Sequence, residues 1–446
     1  MKRHFSRIIA TATTLILAVS MVIGASSTAF AASSRRYAYS VGVNHSADTD
    51  LSGDFTGNVH YAATCYGMIS GVGSFYQYDP TVAYLRSETN PNGVRKLASD
   101  IVFLNGHGNY NVMAFGNSRG SGIYYGNDLN SNGYQYAGLK SIGTMNTVDF
   151  IAFVGCSTAA QSSNLASVAN SKGATTSIGF TNSINSRNTY GPEWLTEFHD
   201  YFVNGYTVQQ SINYATAAYP GSNLGTYIKV YGSTNNTISN GTFSRSQALD
   251  TESEAIAVPL DNLQNCTAMS IDSSNIVGLN NLLNNVQSLY DEFDPEDYKI
   301  SVNMYSDDGQ TGMMTLTYYV GDEIETDRAY IISIENNVAT AIIPSQSICA
   351  AENISTTNLS FGMTENDMLS KVESFEAQMA TNNPMAPASI DVGNVTLQDS
   401  DELVETICRY YYDYSQGKLT YSETYIYETN DPLSVLVDTQ AVWELA

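Results

Sequence analysis

Two short runs constrain this chain more than any other feature. Residues 100–108 read DIVFLNGHG and residues 148–156 read VDFIAFVGC. In each, consecutive apolar, β-prone residues end in a glycine turn that carries a reactive side chain, His107 in the first and Cys156 in the second. A strand apolar at every position has no polar face to offer water, so it must be covered on both sides.

The surrounding sequence supplies that cover. YAYSVGV (37–43) reads as an opening strand, VHYAATCYGMI (59–69) as a helix, VAYLRS (82–87) as a strand, and NGVRKLAS (92–99) as a helix behind an Asn-Pro-Asn start. NVMAFGN (111–117) and GIYYGND (122–128) read as hairpin strands, with a short helix near 139–145. SNLASVANSKG (163–173) is a helix with Gly173 as its stop, and ATTSIGF (174–180) is a further strand. WLTEFHDYFVNG (194–205) and TVQQSINYATAAY (207–219) are amphipathic helices. Strands alternating with helices of this length imply an α/β domain with a mostly parallel sheet flanked by helices, because parallel neighbours need crossover connections. Sites in such sheets lie at the carboxyl ends of the strands.

His107 and Cys156 both stand at such ends, beside small residues that let a substrate backbone approach: Gly106 and Gly108, Gly155 and Ser157. If their strands are neighbours, thiol and imidazole face one cleft. Cysteine is a strong nucleophile even when only slightly ionised, and a nearby imidazole can protonate a leaving amine. Backbone N–H groups at the glycine turn and at the cysteine itself can hold an oxyanion. Taken singly, a cysteine at the end of an apolar strand is ordinarily a small core residue; the paired placement favours an acyl-transfer site.

IVFLNGHG followed by FIAFVGCSTA resembles the two defining blocks of the caspase-like superfamily of cysteine peptidases, which includes caspases, metacaspases, gingipains, clostripain and separase. The opening strand, the helix after the cysteine with GATTSIGF, and FVNGYTVQQSINYA are similar as well, so the resemblance spans roughly residues 36–220. It implies a caspase-like fold with Cys156 as nucleophile, His107 as catalytic histidine, and the N–H groups of Gly108 and Cys156 as the oxyanion hole. It also implies peptide hydrolysis through a thioester. Asn105 stands where many relatives have Ser, and Gly155 where caspases have Ala. Val154 stands where clostripain-like enzymes place an acid, which leaves cleavage after basic residues without its usual support. If this chain does cleave after Arg or Lys, the acids Asp48, Asp50 and Asp54 after the first strand are candidates for the substrate-binding pocket. A solvated loop or a cation site explains each of them equally well.

His45, His60 and His199 show no metal-ligand spacing with cysteines or carboxylates, and Cys65 reads as core. No metal or other cofactor is expected, with calcium the one cation left open.

Residues 1–31 have the plan of a secretory signal peptide: Lys2, Arg3 and Arg7, an apolar stretch over 8–24, then Ala29-Phe30-Ala31 as the cleavage site. An uncleaved membrane anchor is the alternative; otherwise the chain is expected to be secreted. Charge then divides the rest. Residues 33–249 carry 11 Lys and Arg against 11 Asp and Glu, whereas residues 250–446 carry 5 against 33. The resulting acidity excludes nucleic acid as the main partner, because phosphate recognition needs clustered cations.

The expected organisation is therefore a peptidase domain over 33–231, a Ser/Thr/Asn/Gly-rich linker over 232–257, and an acidic α+β region with antiparallel sheet over 258–446, splitting into two units near 350–363. In the acidic region GLNNLLNNVQSLYDEF reads as a helix, as does 364–381. YKISVNMYS, GMMTLTYYVG, AYIISIENNVATAII, ETICRYYYDYS, KLTYSETYIYE and LSVLVDT read as strands. Asp307-Asp308-Gly309 lacks calcium-loop spacing and reads as a hairpin turn. Cys266, Cys349 and Cys408 allow at most one bridge there. Such a region suits solubility, binding of basic surfaces or calcium, or covering the catalytic cleft, and self-cleavage at Arg245 in the linker would be one way to release it. The leading expectation is a secreted cysteine endopeptidase acting on protein or peptide substrates. The alternatives are a non-catalytic binding or adhesion module on the same fold, and an acyl transferase that uses the same thiol.

Overall fold

The computed structural model describes residues 35–43, 55–115, 120–184, 190–239, 253–263, 266–270, 276–349, 363–381, 384–391, 397–430 and 433–445. The proposed signal, the acids Asp48, Asp50 and Asp54, His45 and Arg245 lie outside them.

Six strands form the first sheet: β1 (Arg36–Gly42), β2 (Val72–Tyr78), β3 (Ile101–Asn105), β9 (Phe150–Val154), β10 (Thr176–Phe180) and β11 (Ile228–Gly232). Their order is β11-β10-β9-β3-β1-β2, and all pairs are parallel except β10 with β11. Side chains of β3 and β9 alternate into two separate cores, which is why these strands are apolar throughout. Ile101, Phe103, Phe150 and Ala152 meet α1 (Phe55–Met68), α4 (Gly191–Val203) and α5 (Val208–Ala218) on one face. Val102, Leu104, Ile151 and Phe153 meet α3 (Leu165–Ser171) on the other.

Caps fix where these helices start. Asn164 and Ser167 form a capping box on α3, and Thr207 and Gln210 form another on α5, each satisfying two otherwise orphaned N–H groups. Gly173, with φ of 112°, follows α3 in a conformation open to glycine.

Three local expectations are corrected. VAYLRS is not a strand but the short helix α2 (Val82–Ser87): Thr81 caps it by accepting from the Tyr84 N–H, and Val82 and Leu85 bury at helical spacing. NGVRKLAS keeps only a single 3₁₀ turn at Lys96–Ala98, as does 139–145 at Leu139–Ser141. In the first case the buried Asn90 side chain accepts from the N–H groups of Asn92 and Val94, a local bond that competes with helix.

A second, mainly antiparallel sheet has fifteen strands. Five come from the first region: β4 (His107–Asn109), β5 (Val112–Phe115), β6 (Ser121–Tyr124), β7 (Leu129–Ser131) and β8 (Tyr134–Gly138). Six follow the charge division: β12 (Glu254–Pro259), β13 (Cys266–Ser270), β14 (Tyr298–Asn303), β15 (Gly312–Val320), β16 (Ile324–Glu335) and β17 (Val338–Pro344). The last four are β18 (Ser389–Asp391), β19 (Glu402–Asp413), β20 (Lys418–Glu428) and β21 (Leu436–Glu444). Between them lie α6 (Asn223–Tyr227), α7 (Leu279–Leu289) and α8 (Glu365–Met379). The molecule is thus mixed α/β: a mostly parallel sheet with helices, joined to a large antiparallel one.

The core does not stop at the change of charge. Tyr305, Met313, Ala329, Ile331 and Ile343 share one buried cluster with Trp194, Ile212 and Val230. Polar bonds reinforce the seam. Asn213 donates to the Ser333 hydroxyl at 2.9 Å and accepts from the Tyr305 hydroxyl at 3.1 Å, while the Asn303 amide donates to the carbonyls of Gly225 and Ile228.

Candidate active site

β3 and β9 are hydrogen-bonded neighbours, with Asn105 opposite Val154. The turns that follow them, 106–108 and 155–158, therefore leave the sheet side by side. The Gly106 N–H donates to the Val154 carbonyl at 3.1 Å. A methyl group on Gly108 would stand 2.7 Å from the carbonyl oxygen of Cys156 and 3.1 Å from its nitrogen, and one on Gly155 would stand 2.6 Å from the Gly106 carbonyl. These two turns touch main chain to main chain, which only glycine permits.

The cysteine turn is held under strain. Ser157, the residue after the thiol, sits at φ of 56°, a left-handed conformation that costs a non-glycine residue about 1–2 kcal/mol. Its N–H donates to the Asn182 carbonyl at 3.0 Å, and the Thr158 hydroxyl donates to the Phe153 carbonyl at 2.8 Å while accepting from the Phe180 N–H. Such strain persists only where surrounding bonds over-determine it, and it recurs at functional sites.

Cys156 is 6% exposed, and its Sγ donates to the Ile184 carbonyl at 3.5 Å. Burial, together with the nearby Asp438 carboxylate, pushes the thiol up to about 12. In this arrangement the sulfur is protonated at neutral pH. His107 is half-buried on β4 and pairs in register with Ala114 of β5.

Sequence reasoning allows the acidic region to cover the cleft, but it does not name the segment that meets this turn. At the edge of β4, Gly108 pairs antiparallel with Leu436 of β21, and the Asn109 amide donates to the Ser434 carbonyl at 2.6 Å. Leu433, Val435 and Val437 form a buried cluster with Val112, Ala114 and Tyr136 of the hairpin strands. On the opposite face Leu436 packs against the cluster that contains Cys156 and Ile184. LSVLVDT is readable as a strand, but nothing local names its partner. A cavity of about 680 Å³ lies alongside, with Asn182, Ile184, Tyr227, Arg409, Thr424 and Asp438 among its walls. Arg409 is held there by a two-pronged ion pair with Glu325, at 2.7 and 2.9 Å, and by the Gly221 carbonyl.

The remaining candidates fall elsewhere. His60 is exposed on α1, its ring edge-on to Tyr76. His199 is fully buried, 3.0 Å from the Tyr66 hydroxyl, and burial lowers it to about 3. Cys65 lies buried on α1, 3.8 Å from Asp200. Of the acidic region's cysteines, Cys408 is an exposed free thiol, Cys349 is partly exposed, and the side chain of Cys266 lies outside the described residues. Asp308 accepts from the Ser306 hydroxyl and the Gln310 N–H, closing a turn between β14 and β15. Among the described residues no group of three or more His, Cys, Asp or Glu is placed to hold a metal ion, and no helix is long and apolar enough to cross a membrane.

Neither models of known protein families nor curated proteins give a match to this chain.

Proposed function

We propose that this chain is a secreted cysteine endopeptidase of caspase-like fold, with Cys156 as nucleophile and His107 as proton carrier. The observation that carries the reading is the contact between the two turns: the residue after His107 abuts the main chain of Cys156 at the carboxyl ends of adjacent parallel strands. The strained backbone at Ser157 supports it as well.

In the reaction, the Cys156 sulfur adds to the substrate carbonyl as its proton passes to His107. The oxyanion is met by the N–H groups of Gly108 and Cys156. The C–N bond then breaks, the amine leaves with the proton from the imidazolium, and water hydrolyses the thioester with His107 as base. The N-terminal signal pattern supports export.

The test is a peptide library incubated with wild type, Cys156→Ala and His107→Ala, with the residue before each new carboxyl terminus identified. Slow cleavage by wild type, as a buried thiol dictates, that both variants lose is the expected result. Cleavage that survives in Cys156→Ala refutes the reading. The burial of Cys156 favours the second reading, a binding module without turnover, and that reading gains if a chain with a solvent-accessible Cys156 still cleaves nothing.

A further inference from the structure

We propose that residues 433–438 act as an inhibitory strand in cis, occupying the backbone edge of β4 that an extended substrate would otherwise pair with and closing the turn that carries Cys156. The proposal rests on the peptidase reading for what the edge normally receives, but the occlusion itself stands on geometry.

The segment meets the site with both faces. Its odd-numbered side chains, Leu433, Val435 and Val437, dock in the apolar patch of Val112, Ala114 and Tyr136. On the other face, Leu436 packs on the cluster that includes Cys156 and Ile184. Its main chain pairs with Gly108, the glycine whose backbone abuts that of Cys156. Peptides that add a strand to an exposed sheet edge gain affinity from main-chain bonds and specificity from alternate side chains, and this segment engages β4 in that manner.

The geometry also says how the site would open. The large sheet crosses from β21 to β4 through a single register pair, Leu436 with Gly108, whereas β20 and β21 pair over nine positions. The weak line therefore runs between β21 and β4, not within the C-terminal strands. Loss of the whole acidic region is not required. Its first part, through Tyr305, Ala329 and Ile331, shares a core with α4 and α5, so a cut in the linker near Arg245 would leave it attached.

The test reads thiol access, not turnover. Val435→Asp combined with Val437→Asp places two carboxylates in the docking patch, and Asn109→Ala removes the bond to the Ser434 carbonyl without burying a charge. Purified full-length chains are treated with iodoacetamide, and modification of Cys156 is followed by peptide mass spectrometry relative to exposed Cys408. The expected result is a rise of at least tenfold in the Cys156 to Cys408 rate ratio for the double variant, and a smaller rise for Asn109→Ala. An unchanged ratio in folded samples of both variants overturns the proposal. If the double variant labels faster yet cleaves nothing in the peptide-library assay, the occlusion stands and the peptidase reading falls, so the two failures are distinguishable.

Discussion

Cys156 in the wild-type chain should be a slow thiol, and the structure sets how slow. An exposed cysteine of ordinary pKa, about 8.5, is roughly one-quarter thiolate at about pH 8, whereas a thiol pushed up to about 12 is ionised to roughly one part in ten thousand. That difference alone is about 2,000-fold. A more basic thiolate is intrinsically more nucleophilic, with a Brønsted slope of about 0.45, which returns about 40-fold. The net expectation is alkylation about 50-fold slower than at an exposed site, before the 6% exposure of Cys156 restricts access further. Iodoacetamide labelling with Cys408 as the internal reference measures this directly. The Cys156 rate should climb about tenfold per pH unit up to about pH 10, because the titration lies above that range. A Cys156 rate equal to that of Cys408, or one that levels off near neutral pH, would refute the reasoning, since either requires a thiolate already stabilised in the closed chain.

The same geometry sets three further expectations. Gly108→Ala drives a methyl group to 2.7 Å from the Cys156 carbonyl, so activity should fall by about 100-fold or more while stability drops by about 1–3 kcal/mol, read by peptide hydrolysis and thermal melting. His199, lowered to about 3 by burial, binds a proton in the unfolded chain before it does so in the folded one. Its contribution is therefore present above about pH 6.5 and is lost as pH falls toward 3, about 3 kcal/mol being gone by pH 4. Denaturant titrations at pH 7 and 4 should show His199→Phe losing less than wild type by about that amount. Ile331→Ala, in the acidic region, should cost about 2–5 kcal/mol and lower the unfolding midpoint seen by Trp194, on α4, in a Trp443→Phe background; an unshifted Trp194 transition would deny the shared core.

How much could be read from residues alone followed from how local each signal was. β3 and β9 were legible because burial on both faces leaves an unbroken apolar run, and the glycine turns after them announced close approach. That the two strands are neighbours was not written in either one. VAYLRS reads as a strand because six residues do not distinguish a period of two from 3.6, and the Thr81 cap, one residue outside the run, decides for helix. NGVRKLAS failed for the opposite reason: its composition suits a helix, but the Asn90 side chain bonds the backbone into a turn first. What no residue named was the strand of the acidic region that meets the turn beside Cys156. A strand such as LSVLVDT carries its own propensity but no record of the edge it joins, and Leu436 meets Gly108 across most of the chain.

The most direct test of the proposed Cys156–His107 dyad is covalent trapping with a peptidyl acyloxymethyl ketone on the chain carrying Val435→Asp and Val437→Asp, followed by peptide mapping. The expected adduct is on Cys156, is missing in Cys156→Ala, and forms at least about 100-fold more slowly when His107 is also replaced by Ala. Labelling confined to Cys408, or labelling of Cys156 at a rate indifferent to His107, would contradict a shared catalytic site.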